Sequence, residues 1–183
     1  DKTGTLTEGK PAFDRIIAAP GSQETEVLQL AASLDQGSEH PLAHAIVAEA
    51  RRRQLSLMTP SSFESSSGIG VRGIVNGARV ALGNTTLMES EGVSSTPMLA
   101  EAEALRAEGA SVMYLARNDV LLGLLAVSDP VKETTREALA SLKEAGLTVV
   151  MATGDGTTTA KAVAGKLGIS EVYGEVKPQD KLA

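Results

Sequence analysis

The stretch Asp1-Lys2-Thr3-Gly4-Thr5-Leu6-Thr7, DKTGTLT, decides how the rest of the chain is read. An aspartate followed by threonines and a glycine has the make-up of a phosphoryl-accepting loop. A carboxylate is a weak nucleophile, but it accepts a phosphoryl group when Mg²⁺ and cations neutralise the incoming charge. Lys2 supplies a nearby cation. Thr3, Gly4 and Thr5 supply hydroxyl and backbone N–H donors for phosphate oxygens. The competing reading is an ordinary polar turn, against which the fixed order of residues argues.

Such a loop belongs at the switch point of a doubly wound sheet, after the first strand. The matching texture returns at the other end of the chain. "SDPVKETTREALASLKEAG" predicts a helix started by Asp129-Pro130 and stopped by Gly146. "LTVVMAT" is a near-continuous apolar strand of the parallel, doubly covered kind. "TTTAKAVAGKLG" predicts a helix ending at Gly168, and "EVYGEV" the next strand. This β/α alternation predicts a discontinuous parent domain, residues 1–9 plus 127–183, with an α+β domain of residues 10–126 inserted into it.

Within the insert, Val27, Leu30, Ala31 and Leu34 share a helical face, and so do Ala43, Ile46, Val47 and Ala50. Pro41 suits a first helical turn. Arg51–Gln54 reads as that helix's solvated basic last turn. Asn76-Gly77 between runs rich in β-branched residues predicts a hairpin. A third helix is predicted from Thr96 as cap, with Pro97 starting it, to about Glu108, stopped by Gly109. A second hairpin is predicted to turn at Asn118-Asp119. The insert is therefore expected to be an antiparallel sheet with helices on it.

Composition limits the partners. Apolar residues are 42% of 183, but aromatics only 2%, with no Trp, so the core must be aliphatic and stacking platforms for single-stranded nucleic acid are lacking. A net charge of −6 argues against nucleic acid or an acidic membrane surface. The absence of cysteine excludes disulfides and thiolate metal sites. "VLLGLLAV", the longest apolar run, falls far short of the roughly 18 residues of a membrane span. The expectation is a soluble, monomeric acidic chain.

DKTGTLT resembles the phosphorylation signature of P-type ATPases, ion pumps with a haloacid-dehalogenase-like phosphorylation domain. "MATGDG", Met151–Gly156, resembles that family's TGD motif, with Gly156 where the family has Asn. "KPQDK" resembles the segment carrying the phosphate-site lysine, here Lys181, and "SDP" the hinge motif with Asp129. "SEHPLAHAIV" resembles the His-Pro motif of the heavy-metal subclass. The resemblance implies an α/β fold: an incomplete doubly wound phosphorylation domain (residues 1–9 and 127–183) with an inserted nucleotide-binding domain (residues 10–126). It also implies catalytic roles for Asp1, Lys2, Thr3, Thr153, Gly154, Asp155 and Lys181, with Mg²⁺ held at Asp1 and Thr3. Thr3 stands where soluble phosphatases of the superfamily carry a second Asp, so an aspartyl phosphate is expected to persist.

For ATP the resemblance implies Asp35, Glu39, His40 and Asp129, and the glycine-rich positions Gly68, Gly70, Val71, Gly83 and Asn84. Asp35 falls where the subclass has Glu, the group expected to read the adenine amino edge. Gly68–Gly73 also matches G-x-G-x-x-G, but it runs into a hairpin instead of opening a helix, which rejects a dinucleotide site. The glycines there are read as allowing close backbone approach of a ligand. His40 and His44 form an i, i+4 pair able to clamp a metal; nothing in the sequence clearly completes that site.

The implied function is the cytosolic part of a Cu⁺ or Ag⁺ pump at a bacterial inner or plasma membrane. Its membrane, actuator and metal-binding domains would lie outside this chain, and the chain alone is expected to turn over slowly. A Zn²⁺/Cd²⁺ pump, a soluble phosphatase of the same superfamily and a regulatory metal-binding module are the alternatives.

Overall fold

The computed structural model describes residues 1–177 and Asp180. They divide into two compact units. One holds Phe13–Ala102 and Val112–Val127; the other holds Asp1–Ala12, Glu103–Ser111 and the described chain from Ser128 onward.

The elements, in chain order, are β1 (Ala12–Ala18), α1 (Glu24–Asp35), α2 (Pro41–Arg52), β2 (Ser61–Ser66), β3 (Gly70–Val75), β4 (Ala78–Gly83), α3 (Thr85–Ser90), α4 (Leu99–Ala107), β5 (Ser111–Arg117) and β6 (Val120–Ser128). The strands form one six-stranded sheet in the order β1-β6-β5-β4-β3-β2. Adjacent strands from β2 to β5 pair antiparallel, so the insert has the expected sheet.

Asn76 and Gly77 both have positive φ, 50° and 77°, as a two-residue hairpin turn requires. They leave Val75 paired with Ala78, which sets the β3–β4 register. α1 packs on α2, β3 and β4. Its face of Val27, Leu30, Ala31 and Leu34 is buried, as is the α2 face of Ala43, Ile46, Val47 and Ala50. The core is aliphatic, built on Leu28, Leu34, Ile46, Leu82, Leu115 and Leu125. Full burial of each such side chain contributes about 1.5–3 kcal/mol.

The second unit contains α5 (Thr135–Glu144), β7 (Val150–Ala152), α6 (Thr157–Leu167) and β8 (Glu171–Tyr173). β7 and β8 pair parallel, Met151 opposite Val172. Met151, Ala160, Val163, Ala164 and Ile169 form the core between strand and helix. α6 ends where Gly168 takes φ +68° and Ile169 N donates to Ala164 O at 3.0 Å, a Schellman closure.

Three local expectations need correction. α5 starts at Thr135 rather than at Asp129-Pro130, because the Asp129 carboxylate accepts from the Thr7 hydroxyl and Lys10 N instead of capping a helix. Thr96 is no cap: it opens a single 3₁₀ turn, Thr96–Met98, that leads into α4. "LTVVMAT" contributes only the three residues of β7 to the ladder. β1 and α3 were not anticipated.

Candidate functional site

The loop Asp1–Thr7, expected from its sequence to accept a phosphoryl group, is a tight knot. Lys2 O accepts from Thr5 N, Leu6 N and Thr7 N at 3.1, 2.9 and 3.2 Å, and the Thr7 hydroxyl accepts from Gly4 N at 3.2 Å. Asp1, Thr3 and Gly4 lie on the exposed side, whereas Lys2 is buried. Lys2 is therefore not an open cation beside Asp1: its Nζ forms an ion pair with Asp155. That pair draws the TGD loop against the acceptor loop.

Thr153, also buried, donates its hydroxyl to Asp155 Oδ2 at 3.0 Å and accepts from Asp155 N at 3.2 Å. Thr153 N donates to Tyr173 O at 2.9 Å and Glu175 N to Asp155 O at 2.7 Å, which anchors the loop to the end of β8. Gly154 is exposed. Lys181 lies outside the described residues. Ser111, which the sequence did not single out, donates to Asp155 Oδ1 at 3.2 Å. A serine opening an apolar strand carries no local signal of such a contact.

The other expected ligand residues lie in the sheet-bearing unit, apart from Asp129. Asn84 is a hub. Its side-chain amide donates to Gly68 O at 2.9 Å, its Oδ1 accepts from Leu87 N at 3.1 Å as the cap of α3, and its backbone N donates to Ile69 O at 2.9 Å. Gly70 pairs with Gly83 across the ladder. A Cβ on Gly70 would lie 2.4 Å from Leu82 O, and one on Gly83 would lie 2.3 Å from Ile69 O. The bareness of these two glycines is thus required by the sheet itself. Gly68, at φ +74°, has nothing within 4 Å of a Cβ position. Val71 is buried in the core behind them.

Asp35 ends α1 with 4% exposure, and its Oδ2 has no hydrogen-bond partner among the described residues. Burial pushes its carboxyl up to about 7. It borders a cleft of about 330 Å³ also lined by Gln36, Ser38, His44, Val47, Ala48 and Arg51. His40 caps α2, its Nδ1 accepting from Leu42 N at 3.1 Å. His44, rather than His40, lines the Asp35 cleft. Glu39 is exposed.

Among the described residues no group of three or more His, Cys, Asp or Glu could hold a metal, so no third ligand joins His40 and His44. Mg²⁺ needs less. It keeps several waters and is bound by one or two carboxylates together with substrate phosphates. Asp1 and Thr3, oxygen donors on an exposed loop, fit such a site.

The arrangement sets a surface carboxylate next to a buried lysine that is ion-paired to a strand-to-helix loop, in a unit with parallel strands. Over residues 1–183 the chain matches the model of the haloacid dehalogenase-like hydrolases, and it belongs to that family. Among curated proteins it is 46% identical to a copper-transporting P-type ATPase of Rhizobium leguminosarum bv. viciae and 45% identical to a silver exporting P-type ATPase of Salmonella typhimurium. Each match covers 100% of this chain and 22% of the relative, so the chain spans about a fifth of the length of these proteins. Solved structures also align over the whole chain. The catalytic domain of a CPx-ATPase, studied for its conformational changes upon nucleotide binding, aligns with a TM-score of 0.74 at 27% identity over 62% of that chain. A zinc-transporting PIB-type ATPase in its E2.Pi state aligns with a TM-score of 0.68 at 37% identity over 29% of that chain. The relatives are thus heavy-metal P-type ATPases, as the motifs imply. No helix among the described residues is long and apolar enough to cross a membrane.

Proposed function

We propose that this chain is the ATP-binding and phosphoryl-accepting part of a heavy-metal P-type ATPase that exports Cu⁺ or Ag⁺. The observation that carries the reading is the ion pair between buried Lys2 and half-buried Asp155, which joins the two loops whose motifs resemble the phosphorylation site. An Asp1 carboxylate oxygen forms a bond to Pγ of ATP while the bond from Pγ to the β–γ bridging oxygen breaks. ADP leaves with that electron pair. Asp1 and Thr3 would hold Mg²⁺, which would supply charge neutralisation. Thr153, Gly154 and Lys181 stabilise the transferred group. Asp35, Glu39, His40, Gly68, Gly70, Val71, Gly83 and Asn84 hold the nucleotide, and Asp129 ties the hinge. The curated relatives at 46% and 45% identity are a copper and a silver pump, which supports Cu⁺ or Ag⁺ over Zn²⁺ or Cd²⁺.

Thr3 argues against a soluble phosphatase. A threonine hydroxyl is no general base near neutral pH, so it does not activate water against the acyl phosphate. A long-lived phosphoenzyme suits a pump that must change conformation before hydrolysis. In this reading the membrane, actuator and metal-binding domains belong to the same protein, and this part works on the cytosolic side. The test is acid-quenched labelling of the full-length protein with γ-labelled ATP. A hydroxylamine-sensitive phosphoenzyme, absent in Asp1→Asn and stimulated by Cu⁺ or Ag⁺, is expected. Label retained in Asp1→Asn would overturn the assignment.

A further inference from the structure

The Asp155 carboxylate lies among three donors. Among the described residues Lys2 Nζ and the Thr153 hydroxyl share Oδ2, and the Ser111 hydroxyl reaches Oδ1, at 3.2 Å. Ser111 comes from neither motif loop. It closes the segment Glu103–Ser111, which is fastened to α6 at three further points. The Thr158 hydroxyl donates to Glu103 Oε2 at 2.7 Å, the buried Thr159 hydroxyl donates to Ala110 O at 2.6 Å, and Lys166 Nζ donates to Glu108 O. α6 begins two residues after Asp155. One segment therefore braces both the helix behind the TGD loop and the carboxylate within it.

The chemistry of that contact is orientation. The terminal torsion of an aspartate is broad and two-fold, so an anchor on one oxygen leaves the carboxylate plane free to swing. A second anchor on the other oxygen fixes it. The plane of Asp155 sets where Lys2 Nζ rests, and Lys2 follows Asp1 directly in the chain.

We infer that Ser111 is a positioning residue of the phosphorylation site, its hydroxyl fixing the Asp155 carboxylate plane through which Lys2 and the acceptor loop are held. The inference rests on the proposed role of Asp1. Ser111 touches no reacting atom and changes no charge. Its loss slows phosphorylation of Asp1 without weakening ATP binding, because the proposed nucleotide ligands around Asp35 and Asn84 belong to the other unit.

The experiment is rapid-quench phosphoenzyme formation in the full-length protein over a range of ATP concentrations, for the wild type, Ser111→Ala, Ser111→Thr and Asp1→Asn. Ser111→Ala should phosphorylate about tenfold more slowly at saturating ATP with an unchanged half-saturating concentration, and Ser111→Thr, which keeps the hydroxyl, should remain near the wild-type rate. A wild-type rate in Ser111→Ala overturns the inference. So does equal impairment of the two variants, or a loss expressed in the half-saturating ATP concentration, since each marks packing rather than orientation. A label that survives in Asp1→Asn removes the underlying reading of Asp1, and is told apart from failure of the Ser111 role because it appears without any change at Ser111.

Discussion

The hydroxyl of Thr7 donates to Asp129 Oδ2 at 2.6 Å, joining residues 122 positions apart. Around that bond the two chain segments that flank the sheet-bearing unit are stitched together. Glu8 N donates to Pro130 O at 2.9 Å, Lys132 N to Leu6 O at 3.1 Å, and the Thr135 hydroxyl to Leu6 O at 2.7 Å. Thr7 is fully buried, so a polar group left without its partner there is costly. Thr7→Val keeps the shape and removes both the donor to Asp129 and the acceptor for Gly4 N. It should lower stability by about 1–3 kcal/mol, with Thr7→Ser recovering most of that. Urea unfolding followed by circular dichroism would measure it, and a Val variant as stable as the wild type would refute the stitch.

Asp35 makes stability depend on pH. Its carboxyl is raised by burial from 3.8 to about 7 in the folded chain. Between those values the folded state keeps a proton that the unfolded state has released. The contribution of Asp35 to stability therefore falls as pH rises from about 4 to about 7, then levels off. Asp35→Asn abolishes the titration. Relative to the wild type it should gain stability progressively from pH 5 to pH 8, by on the order of a few kcal/mol. Unfolding midpoints at pH 5, 6.5 and 8 would show a widening gap; a constant gap would exclude the effect.

His40 carries two separable duties, one observed and one proposed. As the cap of α2 it accepts from Leu42 N; as a nucleotide ligand its ring would orient ATP. Asn also caps helices well, whereas Ala does not. His40→Ala should lose about 1 kcal/mol of stability and His40→Asn little. Both should bind ATP more weakly, by about tenfold. Calorimetric titration of both variants would decide it, since wild-type affinity in His40→Asn would leave the cap as the only duty.

The elements that local chemistry dictates were legible. Asn76-Gly77 and Asn118 take the positive φ that their residue types favour, and the apolar faces of α1 and α2 are buried as their spacing requires. What escaped was set by distant partners. Asp129 looks like a helix start until Thr7 is seen to occupy its carboxylate. Asn84 enters as a ligand residue by resemblance, and its side-chain amide has a structural duty beside that one, holding Gly68 and the start of α3. Gly70 reads as allowing close approach of a ligand, and the sheet adds a demand of its own, since a Cβ there would meet Leu82 O. The acceptor loop and the TGD loop were each recognisable, but their union through Lys2 and Asp155 spans most of the chain and leaves no local trace.

The sheet order has an entropic consequence. β1 and β6, the strands by which the chain passes into and out of the six-stranded sheet, are hydrogen-bonded neighbours. Neighbouring strands lie about 4.8 Å apart. For the unit that holds Asp1, an interruption of roughly a hundred residues thus acts as a short staple once the sheet has folded, and the closure penalty that grows with loop length is no longer paid by that unit. Insertions or deletions in the β3–β4 hairpin, which lies outside the Glu103–Ser111 segment that braces α6, leave both the staple and that brace unchanged, so this part of the sheet is free to diverge without loosening the loop that begins at Asp1.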